Sequence, residues 1–194
     1  MLLLLFGITS CNSTIDNYSD YMKYIASPDN GLTKTQSTSG LKISVKYLPL
    51  DYLVYAELKN AEGEKTEAEK ETLKKAYENS LTFMLTFAPD EGKAFDVTKV
   101  GVADYDEFSE RIENMNFNFS NYVKLESEDE EIQPELTQME STYGLEKKRN
   151  ILLVFNKKDI QDDTKIVYKD EIFGTGTHRF LFKEEDLTSV PQFV

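Results

Sequence analysis

Helical spacing and strict alternation follow one another along this chain, and their order outlines a fold. Tyr18, Tyr21, Met22 and Ile25 recur at helical spacing, which predicts a short amphipathic helix over residues 17–26 with its apolar face in the core, ended by Ser27-Pro28-Asp29-Asn30-Gly31. Residues 33–37 and 41–48 predict a hairpin about Ser39-Gly40: Leu41, Ile43, Val45 and Tyr47 alternate with Lys42, Ser44 and Lys46, so one face is buried and the other wet. Residues 49–60 carry Leu50, Leu53, Val54 and Leu58 behind a proline, whose missing N–H costs little at a helix start. Residues 66–79 predict a second, mostly polar surface helix, with Thr66 and Glu69 placed as a capping box and Glu71 four residues before Lys75.

The second half is richer in strands. Residues 80–88 alternate Leu81, Phe83, Leu85 and Phe87 with Thr82 and Thr86 until Pro89-Asp90-Glu91-Gly92 closes the run. A helix over 104–114, capped by Asp104 or Asp106, turns Tyr105, Phe108 and Ile112 inward, and Phe117, Phe119, Val123 and Leu125 suggest the next strand. Beyond an acidic stretch at 126–131 come Leu136 to Tyr143, a turn at Gly144, and a strand over 149–156. Its centre, Ile151-Leu152-Leu153-Val154-Phe155, is apolar throughout, as suits a strand buried on both faces. Residues 165–173 and 177–183 form a last pair joined through Gly174-Thr175-Gly176. About eight strands with three or four helices and short links predict an α+β fold with a largely antiparallel sheet, in a single domain over 18–194. With 40% hydrophobic residues, 12 Phe and 11 Tyr, that domain can bury a core without a metal, and the single cysteine excludes an internal disulfide.

The first eleven residues stand apart. Met1 to Ser10 form an apolar run that ends in small residues before Cys11, then gives way to the polar Asn12-Ser13-Thr14-Ile15-Asp16-Asn17. At about 1.5 Å per residue such a run covers only about half of a roughly 30 Å bilayer core, so it reads as a targeting element. Ile8-Thr9-Ser10-Cys11 resembles the lipobox of bacterial lipoproteins, which implies cleavage before Cys11 and acylation of that residue. The expected division is a signal peptide over 1–10, a lipidated tether over 11–17 and the domain after it. No Lys or Arg precedes the apolar run, which points to a start upstream of Met1 or to trimming. The competing reading makes residues 2–8 a buried first strand and Cys11 a small core residue. Asn12 behind the cysteine favours the outer membrane by the enterobacterial rule, with the periplasmic face as the default.

Charge narrows the partners. A net charge of −13 and a pI near 4.6 argue against nucleic acid, whose phosphates need a basic surface, and against polybasic attachment to anionic lipid. An acidic body is repelled by an anionic membrane over roughly 8 Å, so the membrane contact expected is through acyl chains on Cys11, and charged partners are expected to be basic or cation-bridged.

The chemistry on offer is sparse. His178 is the only histidine, so any Ser-His-Asp set would need it as base, and with Cys11 given to lipid no Cys-His set is left; it reads more simply as an ordinary strand-end residue than as a catalytic or pH-sensitive group. Gly174-Thr175-Gly176 lacks the third glycine and following helix of a dinucleotide fingerprint, and zinc lacks ligands. Glu126, Glu128, Asp129, Glu130 and Glu131, or Asp159, Asp162 and Asp163, offer hard oxygens for calcium but in no regular loop pattern. A solvated hairpin loop and Asx turns account for them more simply, so no cofactor or metal is expected. A carboxylate pair acting on glycan is always conceivable among 35 acids, although the lack of tryptophan weakens it.

With its lipobox, the Pro28-Asp29-Asn30-Gly31-Leu32 turn leading into a Lys-flanked hairpin, and the ending Tyr168-Lys169-Asp170-Glu171-Ile172-Phe173-Gly174 into Phe180-Leu181-Phe182-Lys183, the chain resembles uncharacterised cell-envelope lipoproteins of the Bacteroidota. The resemblance implies an outer-membrane lipoprotein and carries over one functional residue, Cys11. The expected function is therefore a noncatalytic, membrane-anchored protein that docks an envelope partner through a sheet edge or its acidic face. The alternative is a periplasmic, carboxylate-dependent enzyme acting on glycan. A third, cytosolic reading requires Cys11 to be unmodified.

Overall fold

The structure, a computed structural model, describes residues 13–60, 66–128, 130–142, 146–157 and 159–194. The predicted signal and Cys11 lie outside the described residues, as do Asp129, Tyr143 and Gly144. In chain order the elements are β1 (Thr14–Ile15), α1 (Tyr18–Ala26), β2 (Thr33–Thr38), β3 (Leu41–Leu48), α2 (Leu50–Asn60), α3 (Glu67–Tyr77), β4 (Ser80–Pro89) and α4 (Tyr105–Phe117). They continue with β5 (Val123–Ser127), β6 (Glu130–Ile132), β7 (Leu136–Met139), β8 (Arg149–Asn156), β9 (Thr164–Asp170), β10 (Gly176–Phe182), α5 (Glu184–Thr188) and β11 (Gln192–Phe193).

Two antiparallel sheets face each other, one ordered β2-β3-β4-β8-β7 and the other β10-β9-β5-β6. Alternation puts Ile43, Val45, Phe83, Leu85, Phe87, Ile151, Leu153 and Phe155 of the first against Val123, Leu125, Ile166, Tyr168, Phe180 and Phe182 of the second, in one continuous core. Ring pairs span the layer: Phe83 lies 5.2 Å from Phe182 and Phe87 lies 5.4 Å from Tyr168, centroid to centroid. On one side the edge strands β2 and β10 meet, and Gln36 Nε2 donates to the Arg179 carbonyl at 2.8 Å. On the other side α4 packs along β7. The expected α+β class and antiparallel pairing are thus present, with eleven strands and five helices among the described residues.

Local chemistry accounts for the boundaries. The β2–β3 turn uses Ser39 at φ 50° and Gly40 at φ 84°, the consecutive left-handed pair whose twist matches that of the strands it joins. The α3 capping box forms as read: Glu69 N–H donates to Thr66 Oγ1 at 3.3 Å, and Thr66 N–H donates to Glu69 Oε2 at 2.9 Å.

Four expectations change. β8 lies between β4 and β7, yet of its apolar run only Ile151, Leu153 and Phe155 are buried; Leu152 and Val154 point to the outer face and are half-buried. Tyr105 is turned outward and 77% exposed, while Met115 takes the buried place on α4. The strand expected from Phe117 starts only at Val123, since α4 runs on to Phe117 and a turn of 3₁₀ helix over Phe119–Asn121 inserts Phe119 into the core. Finally, within the 11–17 segment read as a tether, Thr14 and Ile15 pair in parallel with Gln192 and Phe193, and Asn17 caps α1.

Candidate functional site

The acidic clusters singled out in the sequence fall on separate turns, and Glu128 of one meets Asp162 and Asp163 of the other at a shared surface pocket. Glu126 and Glu131 face each other across the β5–β6 hairpin, both held by Lys124 Nζ at 2.9 and 2.6 Å, and Glu130 pairs with Lys157 at 3.3 Å. Glu128 sits in the hairpin turn at φ 44°. Asp163 binds Lys183 Nζ at 2.6 Å and accepts from Glu184 N–H at the start of α5, while Asp159 and Asp162 stay in the preceding loop. Among the described residues no three His, Cys, Asp or Glu side chains gather as metal ligands.

His178 is more constrained than a strand-end histidine needs to be. The bend between β9 and β10 folds its amides onto the Asp170 carboxylate. Oδ1 accepts from Ile172 N–H at 3.1 Å, Phe173 N–H at 2.8 Å and the Tyr168 hydroxyl at 2.6 Å; Oδ2 accepts from Thr175 N–H at 3.0 Å and from the Thr175 hydroxyl. Burial, and then the Asp170 charge beside it, push the Tyr168 phenol far above its usual range, so it remains a donor. With the Thr175 proton directed at Asp170, Thr175 Oγ1 is left to accept from His178 Nε2 at 2.8 Å. Gln36, oriented by its donation to Arg179, presents Oε1 to His178 Nδ1 at 3.0 Å. Both ring nitrogens therefore face acceptors. The imidazole, 6% exposed, ties β2 of one sheet to β10 of the other, and it is a structural staple rather than a reactive group.

An open face is the first surface of interest. The outer side of the four-stranded sheet carries Lys124, Lys165, Lys169 and Arg179, with Val167 beneath them and Leu181 40% exposed among them. Glu126 and Glu131 are the acids on its strands, Glu171 pairs with Lys169, and Glu128, Asp162, Asp163 and Glu184 line the pocket that Lys165 and Leu181 share. Among the described residues, neither Lys165 nor Arg179 has an ion-pair partner within 4 Å. Charges of both signs thus surround an apolar centre.

A cavity of about 430 Å³ is the second, at the end of the sandwich where α1, α2, α3 and β11 meet. Its polar lining is Tyr21, Tyr47, Asp51, Lys70, Lys74 and Gln192. Tyr21 is fully buried, and its hydroxyl has no hydrogen-bond partner. Burial first, then the nearby Asp51 and Tyr47, raise its phenol well above the ordinary value, although the Tyr52 amide close by works the other way. Burial also pushes the Tyr47 phenol up to about 12. The sequence placed Tyr21 correctly in the core, but helical spacing carries no sign that its hydroxyl is left without a partner.

The described carboxyls with clearly displaced acidity are Glu69, Asp96 and Asp163, and all three are more acidic than usual. For Asp96, burial acts to raise the value, but hydrogen bonds from Thr98 and the Arg149 guanidinium at 3.0 Å overcome it. A general acid needs the opposite displacement.

The geometry defines an antiparallel α+β sandwich with a charged outer sheet face around Leu181 and a cavity at one end. No protein-family model matches the chain, and no curated protein matches it. Among solved structures it is similar to a novel protein of unknown function from Burkholderia pseudomallei K96243, at 8% identity and TM-score 0.43, covering 89% of this chain and 88% of that one. It is also similar to a DUF4426 family protein from Pseudomonas aeruginosa PAO1, at 11% identity and TM-score 0.35, covering 78% and 91%.

Proposed function

We propose that this chain is a noncatalytic lipoprotein, acylated at Cys11 in the bacterial outer membrane and facing the periplasm, that docks an envelope protein through the open face of its four-stranded sheet. The observation that carries the reading is the exposed Leu181 with Lys165, Lys169 and Arg179 around it on the outer side of the four-stranded sheet. An uncovered sheet face with an apolar centre and a charged rim has the anatomy of a contact surface, and its charge steers encounter. Net charge alone pointed to a basic partner; Lys165 and Arg179 have no ion pair among the described residues, so the partner presents acidic groups to these two around an apolar one.

Anchoring supports the same picture. Ser13 O accepts from Gln192 N–H at 3.0 Å, so the folded body begins two residues after Cys11 and an acyl group there holds the β1–β11 end at the bilayer. No helix among the described residues is long and apolar enough to cross a membrane.

Mass spectrometry of the native protein should find Cys11 diacylated and residues 1–10 removed. A photocrosslinker replacing Leu181 in native membranes should give one discrete adduct to an acidic envelope protein, and Lys165→Glu with Arg179→Glu should abolish it. A bare Cys11 thiol would remove the anchor. An adduct pattern unchanged by the two charge reversals would remove the docking face.

A further inference from the structure

The end cavity has a use that the docking face does not touch. Helix α2 opens at Leu50 directly behind Pro49, whose carbonyl accepts from Leu53 N–H at 3.1 Å. Proline in that place has no side-chain oxygen to cap the helix, so the first amides of α2 lack an intrahelical partner, and of these the Tyr52 amide faces the Tyr21 phenol. Pro49, Leu50 and Asp51 all line the cavity, so the positive end of an eleven-residue helix is directed there.

Three further features converge on the same space. The hydroxyl of Tyr21, completely buried and without a partner, lies among Asp51, Tyr47 and the Tyr52 amide, on the cavity side of α1. A buried hydroxyl left unpaired costs free energy, and a bound polar group would recover it. Lys70 and Lys74, one turn apart on α3, line the opposite wall; their ion pairs with Glu67 at 3.8 Å and Glu71 at 3.3 Å are partly exposed and easily exchanged. Asp51 opposes an anion, but its carboxylate is committed to Phe193 N–H at 2.9 Å, and two ammonium groups with a helix end of about half a positive charge outweigh it. Leu187, Val190, Pro191, Gln192, Phe193 and Val194 complete the wall, which is polar and apolar in about equal part. A space of this volume with convergent polar groups and an apolar side fits a small amphiphilic ligand.

We infer that this cavity binds an anionic head group, carboxylate or phosphate, with the α2 amides, Lys70, Lys74 and the Tyr21 hydroxyl as its donors and the Leu187–Pro191 wall receiving an apolar body. The site stands independently of the docking face. Its ligand is drawn either from lipid-derived amphiphiles or from free oxyanions, which share the same head chemistry.

The two sources separate in one experiment. Decanoate and inorganic phosphate are titrated separately by calorimetry into the purified full chain, into Tyr21→Phe, and into a Lys70→Gln/Lys74→Gln variant. The lysines lie on a largely exposed helix, so the double variant folds. Saturable decanoate binding that weakens about tenfold without the lysines, the equivalent of about 1.4 kcal/mol, and that also weakens in Tyr21→Phe, establishes the amphiphile. Lysine-dependent phosphate binding without decanoate binding establishes the free oxyanion. Failure of both probes to saturate, or affinities unchanged by the lysine substitutions, overturns the inference.

Discussion

Replacing Asp170 with alanine tests how much of the fold depends on one carboxylate. Asp170 is 5% exposed and accepts from the amides of Ile172, Phe173 and Thr175 and from the hydroxyls of Tyr168 and Thr175. The hydroxyls can rotate toward other acceptors, but the three amides are fixed by the bend. Each buried donor left alone costs about 1–3 kcal/mol, so Asp170→Ala should lose roughly 3–5 kcal/mol. That is a large part of the total for a domain whose stability is about 5–15 kcal/mol. For this chain length it corresponds to a fall in Tm of about 10 °C. Asp170→Asn keeps one acceptor but turns an amide donor toward another donor, and should fall between parent and alanine variant. Glu171→Ala is the internal control, because that side chain is exposed and pairs only with Lys169, a contact worth about 0–1 kcal/mol. Urea unfolding followed by far-ultraviolet circular dichroism, with a thermal melt alongside, reads all three. An Asp170→Ala variant within about 1 kcal/mol of the parent, or a Glu171→Ala variant equally destabilised, refutes the convergence of donors on this carboxylate.

Tyr21→Phe removes a hydroxyl that has no partner, so the urea midpoint should stay level or rise by the equivalent of about 1 kcal/mol; a clear fall would mean the hydroxyl is bonded. Asp96 is more acidic folded than unfolded, so its contribution is fully present above the unfolded value of about 3.9 and is lost as pH falls through the lower folded value. Asp96→Asn should therefore lower stability at neutral pH and flatten the acid limb of a stability-against-pH curve below pH about 4, and an unchanged limb would exclude the Arg149 pair as its source. Thr66→Ala should speed amide exchange in the first turn of α3, a local cost of about 1 kcal/mol, with the sheets unaffected.

What the sequence disclosed followed the range of each interaction. The α3 cap spans three residues and the β2–β3 turn two, and both could be read directly because their chemistry is local. Alternation placed Phe83, Leu85 and Phe87 inward for the same reason. The apolar run of β8 misled because a strand inside a sheet still shows one face to whatever lies outside it, and there Leu152 and Val154 are only half-buried. β1 and β11 are two residues each, too short to carry any period. The staple through Gln36 and His178 joins residues 142 apart, and the cavity takes its lining from four helices and the stretch about β11, so neither leaves a mark on local pattern.

Phe193, next to last in the sequence, packs its ring edge-on to Tyr55 at 5.3 Å and lies 5.2 Å from Tyr21, while Tyr18 stacks on Tyr55 at 4.0 Å. The ring of Phe193 therefore closes over three tyrosines while its backbone lies beside β1, so a single side chain couples the seating of α1, α2 and β1: remove it and all three lose their common lid.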